Sequence, residues 1–174
     1  MSGSNHTMSR RHVLFSLGAI AGGAFLLRGQ LPVTREARAA SGDTFPVQHT
    51  DAEWHSMLTP AQYDVLREEG TERAFSSPLD HETRAGMYTC AGCQSKLFSS
   101  DTKYDSGTGW PSFWQPLPDA VAQRTDTTLG MERDEVHCRR CGGHLGHVFD
   151  DGPRPTGLRY CMNGVALQFT SVSA

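Results

Sequence analysis

"HCRRCGGHLGHVFDDGPRPTGLRYCMNG", residues 137–164, decides how this chain is read. It holds three of the five cysteines, two as a C-x-x-C pair (Cys138, Cys141) and one alone (Cys161). Around them the short runs "EVHC", "HVFD" and "LRYCMN" are separated by Gly, Pro and Asp, the pattern of strands joined by turns. The same punctuation continues upstream through "GMYTC" and "KLFSS" and downstream into "VALQFTSV". From Gly86 onward the chain therefore reads as a β-rich domain. Ahead of it, Thr59 can cap a helix that Pro60 opens and Gly70 stops, a short helical preface.

At 174 residues, with 37% hydrophobic and 20% charged side chains, one domain with a real core is expected. Charge is unevenly spread. Residues 1–40 carry Arg10, Arg11, Arg28, Arg35 and Arg38 against Glu36 alone, a local net of +4; with −3 for the whole chain, the remainder carries −7. An acidic domain disfavours a nucleic-acid partner, because phosphate binding needs a concentrated basic surface. The positive segment is organised differently: Arg10 and Arg11 stand directly before a weakly apolar run from Val13 to Leu27, and Ala37-Arg38-Ala39 supplies small residues at the spacing of a cleavage site. Residues 1–40 thus read as an export signal cut near Ala39 or Ala40. The Ser-Arg-Arg-x-x-Leu order resembles a twin-arginine signal, with Val13 where Phe is usual. Residues 41–57 are then an N-terminal extension and 58–174 the working domain, in an exported, periplasmic or otherwise extracytoplasmic protein.

Cys90-Ala-Gly-Cys93 and Cys138-Arg-Arg-Cys141 form two knuckles, each able to offer two thiolates to one tetrahedral ion. Zinc suits four such ligands, and a closed tetrathiolate site is structural because no coordination position is left for water or substrate. Two disulfides are the alternative for an exported chain, and a redox dithiol is another. The twin-arginine route carries folded proteins, which agrees with metal loaded before export.

That leaves Cys161 unpaired. Arg159, two residues earlier, lies on the same face of a strand, where its charge favours the thiolate; Asn163 continues that face. His144 and His147 can each give or take a proton near neutral pH. In "SGTGWPSFW", residues 106–114, Phe113 and Trp114 read as core, whereas the Trp110 ring, between Gly109 and Pro111, is suited to facing a small apolar ligand.

These motifs, together with "GTERAF", "YTCAGC", "LFSS" and "LQF", resemble the methionine-R-sulfoxide reductase family, the B class, in order from Leu58 to Phe169. The resemblance implies a mainly β fold of two antiparallel sheets in a small sandwich or barrel-like core with short N-terminal helices. It also implies one structural zinc on Cys90, Cys93, Cys138 and Cys141, and reduction of the R epimer of methionine sulfoxide. Cys161 becomes the nucleophile, and His144, His147 and Asn163 organise protonation of the oxygen. Trp110 packs on the sulfoxide methyl group, with Phe149 and Arg159 also on the substrate side and Arg159 helping to hold the thiolate. The implied partners are oxidised proteins and an external, thioredoxin-like thiol reductant, and a monomer is expected.

Two departures stand out. Thr108 occupies a position where many members carry a second redox cysteine, so the sulfenic acid left on Cys161 has no partner in the chain and an external thiol must resolve it. Met162 and Gly164 replace the more usual aliphatic residue and serine. The competing reading is a zinc-stabilised peptide-binding module without catalysis, which leaves Cys161, Arg159 and both histidines without a task.

Overall fold

Short strands with alternating side chains build the fold, and a computed structural model describes it for residues 44–172. The export-signal reading of residues 1–40 lies outside the described residues. Among the described residues, two helices come first. α1 (Asp51–Met57) is held by a reciprocal cap between Thr50 and Glu53, and α2 (Pro60–Glu68) by one between Thr59 and Gln62, with Pro60 in its first turn. The sequence located α2 through Thr59 and Pro60; the Thr50-x-x-Glu53 signal of α1 was equally available. Glu69, left-handed at φ 59°, ends α2 just before Gly70.

Nine strands follow: β1 (Gly86–Cys90), β2 (Lys96–Ser99), β3 (Lys103–Tyr104), β4 (Ser112–Phe113), β5 (Val121–Asp126), β6 (Arg133–Cys138), β7 (His144–Phe149), β8 (Arg159–Met162) and β9 (Leu167–Ser171). They form two sheets, one of three strands in the order β2-β1-β9 and one of six in the order β3-β4-β8-β7-β6-β5, and every pairing is antiparallel. The two antiparallel sheets expected from the resemblance are what the chain adopts.

The sheets share one core. Phe98 of β2 stacks on Phe113 of β4 with ring centroids 4.3 Å apart, and Tyr88 of β1 meets the same ring edge-on at 4.9 Å. Tyr160 and Met162 of β8, Val136 of β6, and Leu145 and Val148 of β7 line the same buried layer. Because side chains alternate across a strand, the residues between them, Ser112, Glu135, His147, Arg159 and Cys161, point to the opposite face. That face carries the chemistry. Trp114, expected in the core with Phe113, is only half-buried, and its carbonyl accepts from the Thr156 hydroxyl at 2.7 Å.

The N-terminal segment covers one end of the β domain. Trp54 and Leu66 are buried, Arg67 donates to the Cys141 carbonyl at 3.1 Å, and the Val47 N–H donates to the Arg140 carbonyl at 2.8 Å. Residues 45–67 thus close over the Cys138–Cys141 turn.

Candidate metal centre and thiol site

The two cysteine knuckles fold alike. The Cys90 N–H donates to the Ser95 carbonyl and the Gln94 N–H to the Cys90 carbonyl, each at 2.8 Å; the Cys138 N–H donates to Gly143 and the Gly142 N–H to Cys138, each at 2.9 Å. Gln94 and Gly142, the residues after the second cysteines, are both left-handed, at φ 59° and 68°. The ends of β1 and β6 bring the knuckles face to face. The Cys90 and Cys141 sulfurs lie 3.7 Å apart, those of Cys93 and Cys138 3.5 Å, and all four within 4.8 Å of one another. Four sulfurs at about 2.3 Å from a central ion would be spaced by about 3.8 Å, so the set fits one tetrahedral metal ion. All four thiols are free, and a disulfide would draw sulfurs to about 2.05 Å; the two-disulfide alternative is not what this chain forms.

The second site is scattered over residues 104–161 of the sequence, and sheet register gathers it. Arg124 of β5 opposes Glu135 of β6, Glu135 opposes His147 of β7, His147 opposes Cys161 of β8, Cys161 opposes Ser112 of β4, and Ser112 opposes Tyr104 of β3. Directly opposed residues share a face, so these six side chains form one row across the sheet. His144 would point the other way in a regular strand. Val136 pairs with Gly146 and His137 with His144, which leaves Leu145 as an extra residue in β7, and this bulge turns His144 onto the face of His147. The two rings then lie 5.4 Å apart.

Each histidine has its own carboxylate. His144 Nδ1 lies 2.8 Å from Glu135 Oε1, and His147 Nε2 lies 2.8 Å from Asp126 Oδ2. Ionised carboxylates only accept, so those ring nitrogens carry the protons. Burial pushes Glu135 up, but the His144 hydrogen bond and the Arg124 guanidinium outweigh it and hold it below the ordinary range. Asp126 is held low by the Thr128 hydrogen bonds first, with His147 and Arg133 adding to them. Burial lowers the His147 pKa, and the Asp126 hydrogen bond only partly opposes this. His144 Nε2 is buried and has no hydrogen-bond partner.

Cys161 is partly exposed beside these groups. Burial raises its thiol pKa, against hydrogen bonding from Thr108, the charge of Arg159 and hydrogen bonding from Arg159 and Ser112. Arg159 therefore does favour the thiolate, as its place two residues away implied, but burial wins. The guanidinium is also shared: Asp151 takes Nε and one terminal nitrogen at 2.8 Å each, and the group lies 4.4 Å over the Phe149 ring. Phe149 thus sits under Arg159, directly opposite it in register.

The Trp110 ring is half-buried, and its Nε1–H donates to the Glu72 carbonyl at 3.1 Å. Asn163 is buried with both ends of its amide engaged, accepting from the Glu72 N–H at 3.0 Å and donating to the Leu145 carbonyl at 3.1 Å. It lies just past β8 and anchors the loop at Glu72 to the bulge of β7. The Glu72 carboxylate accepts from the Gly164 and Val165 N–H groups, so one residue fixes Trp110, Asn163 and the turn after Cys161. Sequence reasoning did not single out Glu72, Asp126, Glu135 or Asp151. A solitary acid has no spacing signal, and these meet their partners only in the folded chain.

A β-sheet thiol site of this kind, set apart from a four-cysteine metal centre, marks a class, and the relatives specify which. Residues 58–171 match the SelR domain. The peptide methionine sulfoxide reductase MsrB of Agrobacterium fabrum is 55% identical over 127 residues, covering 72% of this chain and 94% of that protein. Its counterpart in Leptospira interrogans is 56% identical, over 72% of this chain and 96% of its own. That of Thiobacillus denitrificans is 59% identical over 69% and 92%. The chain belongs to the MsrB family of oxidoreductases.

Proposed function

We propose that this protein reduces the R epimer of methionine sulfoxide in oxidised proteins, with Cys161 as nucleophile and a sulfenic acid as intermediate. The observation that carries this reading is Cys161, a free thiol directly opposite His147 in a chain of the MsrB family. A sulfoxide sulfur becomes electrophilic as its oxygen is protonated, so a thiol works here only beside an acid. His147, with His144 next to it, supplies that acid as an imidazolium, which keeps one N–H on its carboxylate and has a second to give. Asp126 and Glu135 keep each ring oriented. The Cys161 sulfur attacks, the oxygen passes to it, and the methionine thioether leaves: thiol plus sulfoxide gives sulfenic acid plus thioether. One external thiol then condenses with the sulfenic acid and releases water, and a second frees Cys161 as the external disulfide forms.

Trp110 takes the sulfoxide methyl group, with Phe149 and Arg159 bounding the site. Asn163 acts by holding the Glu72 loop that carries the Trp110 hydrogen bond. Zinc is the ion we assign to Cys90, Cys93, Cys138 and Cys141, on the strength of four thiolate donors at tetrahedral spacing. It would tie β1 to β6 and take no part in the reaction. We further assign residues 1–40 to twin-arginine export, the protein then acting outside the cytoplasm as a monomer.

The deciding assay offers separated R and S sulfoxide epimers with a dithiol reductant. Turnover confined to R, abolished by Cys161→Ser while the metal is retained, is expected. Equal turnover of both epimers would overturn the stereochemical assignment. Replacing Arg10 and Arg11 with lysine should stop processing and export; undiminished export would favour a general secretory signal.

A further inference from the structure

Hydroxyl groups, and no charged side chain, form the wall of the thiol site nearest the Cys161 sulfur on the side of residues 106–112. Thr108 Oγ1 lies 3.8 Å from Cys161 Sγ, Ser106 Oγ lies 2.8 Å from Thr108 Oγ1, Ser112 Oγ lies 2.7 Å from Ser106 Oγ, and Ser112 also lies 3.1 Å from the Trp110 carbonyl. Each hydroxyl has one proton to give and can accept others, so the direction of donation along this chain is fixed by its two ends. With Cys161 as a neutral thiol, the protons can all point away from sulfur: S–H to Thr108, Thr108 to Ser106, Ser106 to Ser112, and Ser112 to the Trp110 carbonyl. A thiolate has no proton to give and is a strong acceptor. The protons then turn the other way, Ser106 donating to Thr108 and Thr108 to sulfur while Ser112 turns to Ser106 or to the sulfur it opposes, and the Trp110 carbonyl gives up its Ser112 partner.

We infer that Thr108, Ser106 and Ser112 form a reversible hydroxyl relay that donates to the Cys161 sulfur whenever it carries negative charge and withdraws when it does not. Thr108 and Ser112, the latter directly opposite Cys161, both reach the reacting atom, and Ser106 is the positioning residue that acts through them. The relay offsets part of the burial that disfavours the thiolate, without adding a fixed positive charge. It also links the charge on Cys161 to the backbone of Trp110, the residue to which we assign the substrate methyl group, and to that extent the inference rests on the proposed function. The other groups facing the sulfur are Arg159 on its own strand, His147 on β7 and Tyr104 on β3, with Asp151 acting through Arg159. None of these is altered in the test.

The test reads thiolate formation directly, as the pH profile of iodoacetamide alkylation at the Cys161 peptide, resolved by mass spectrometry. Ser106→Ala is the diagnostic variant, because Ser106 does not touch Cys161. Removing the second link should move the profile to higher pH and slow alkylation at pH 8 by several-fold, and Thr108→Val by about tenfold, the worth of one hydrogen bond to a charged group. Thr108→Ser should restore the wild-type profile. Profiles that superimpose on wild type in Ser106→Ala would overturn the relay, whether Thr108→Val changes or not. Metal content and thermal unfolding of each variant establish that the fold is intact, and if Thr108→Val fails to fold, Ser106→Ala against Thr108→Ser still decides. Alkylation does not depend on which sulfoxide is reduced, so a failure of the proposed activity would be seen separately in the epimer assay.

Discussion

Gly146 is the position where the thiol site can be perturbed with the clearest consequence. It lies on β7 opposite Met162, and a Cβ there would stand 2.1 Å from the Cys161 carbonyl oxygen, 3.0 Å from Met162 Cα and 3.1 Å from the Cys161 carbonyl carbon. All three are backbone atoms, so no side chain can swing aside. A carbon meets a carbonyl oxygen at about 3.3 Å, so Gly146→Ala must part β7 from β8 by about 1.2 Å. Two ladder hydrogen bonds lost at about 1 kcal/mol each, with overpacking strain of about 1–3 kcal/mol, give a destabilisation of about 3–5 kcal/mol. The same movement shifts Cys161 relative to His147, and displacements of about 1 Å typically cost on the order of 10²-fold in rate. Urea denaturation should therefore show a lower midpoint at unchanged slope, and turnover measured where the variant is still folded should fall by that order. Gly157→Ala is the control: its φ of 74° carries a strain of about 1–2 kcal/mol, but no atom lies within 4 Å of its Cβ, so turnover should be kept. A Gly146→Ala protein within about 1 kcal/mol of wild type, with full turnover, would mean that β7 and β8 do not approach as described.

Further outcomes are expected from the same geometry. Purified protein should hold one metal ion per chain; Cys138→Ser should lose it together with several kcal/mol of stability, since binding is coupled to folding, and metal-free protein of unchanged thermal stability would refute the closed site. The Asp126 pKa is depressed in the fold, so its stabilisation is present above the unfolded carboxylate value of about 4 and is lost as pH falls below it. Asp126→Asn should therefore be less stable at pH 7 and show a shallower loss between pH 5 and 2; parallel urea-midpoint curves would refute this. Glu72→Gln removes a charged acceptor from Gly164 and Val165 and should cost about 1–3 kcal/mol while raising KM through Trp110, read by denaturation and steady-state kinetics. Thr108→Cys puts a thiol where an oxygen now stands 3.8 Å from Cys161 Sγ. After one turnover without reductant its peptide map should show a disulfide to Cys161, where wild type gives a dimedone-trappable sulfenic acid.

Much of this protein is legible in the order of its residues, because some signals are local. Two C-x-x-C pairs announce four ligands through spacing alone, Thr59 and Pro60 announce the start of α2, and runs such as "LRYCMN" announce strands through alternation that the pleat converts into two faces. The same alternation put Arg159 and Cys161 on one side of β8. β5 was not legible, because "VAQRTD" lies at a sheet edge, half exposed, and shows no apolar run. Nor were the acids. Asp126 and Glu135 matter only because register sets each beside an imidazole, and a one-residue slip would have turned them to the other face; Asp151, in the connection after β7, meets the Arg159 guanidinium only once β7 and β8 have paired. The bulge that brings His144 beside His147 is a tertiary fact, arising where Gly146 lets β7 lie against the β8 backbone. The effective charge on Arg159 was likewise decided by the fold: the sequence placed a cation near Cys161, but Asp151 shares it and burial of the thiol outweighs it, because desolvation depends on the surroundings of a group and not on its neighbours in the chain.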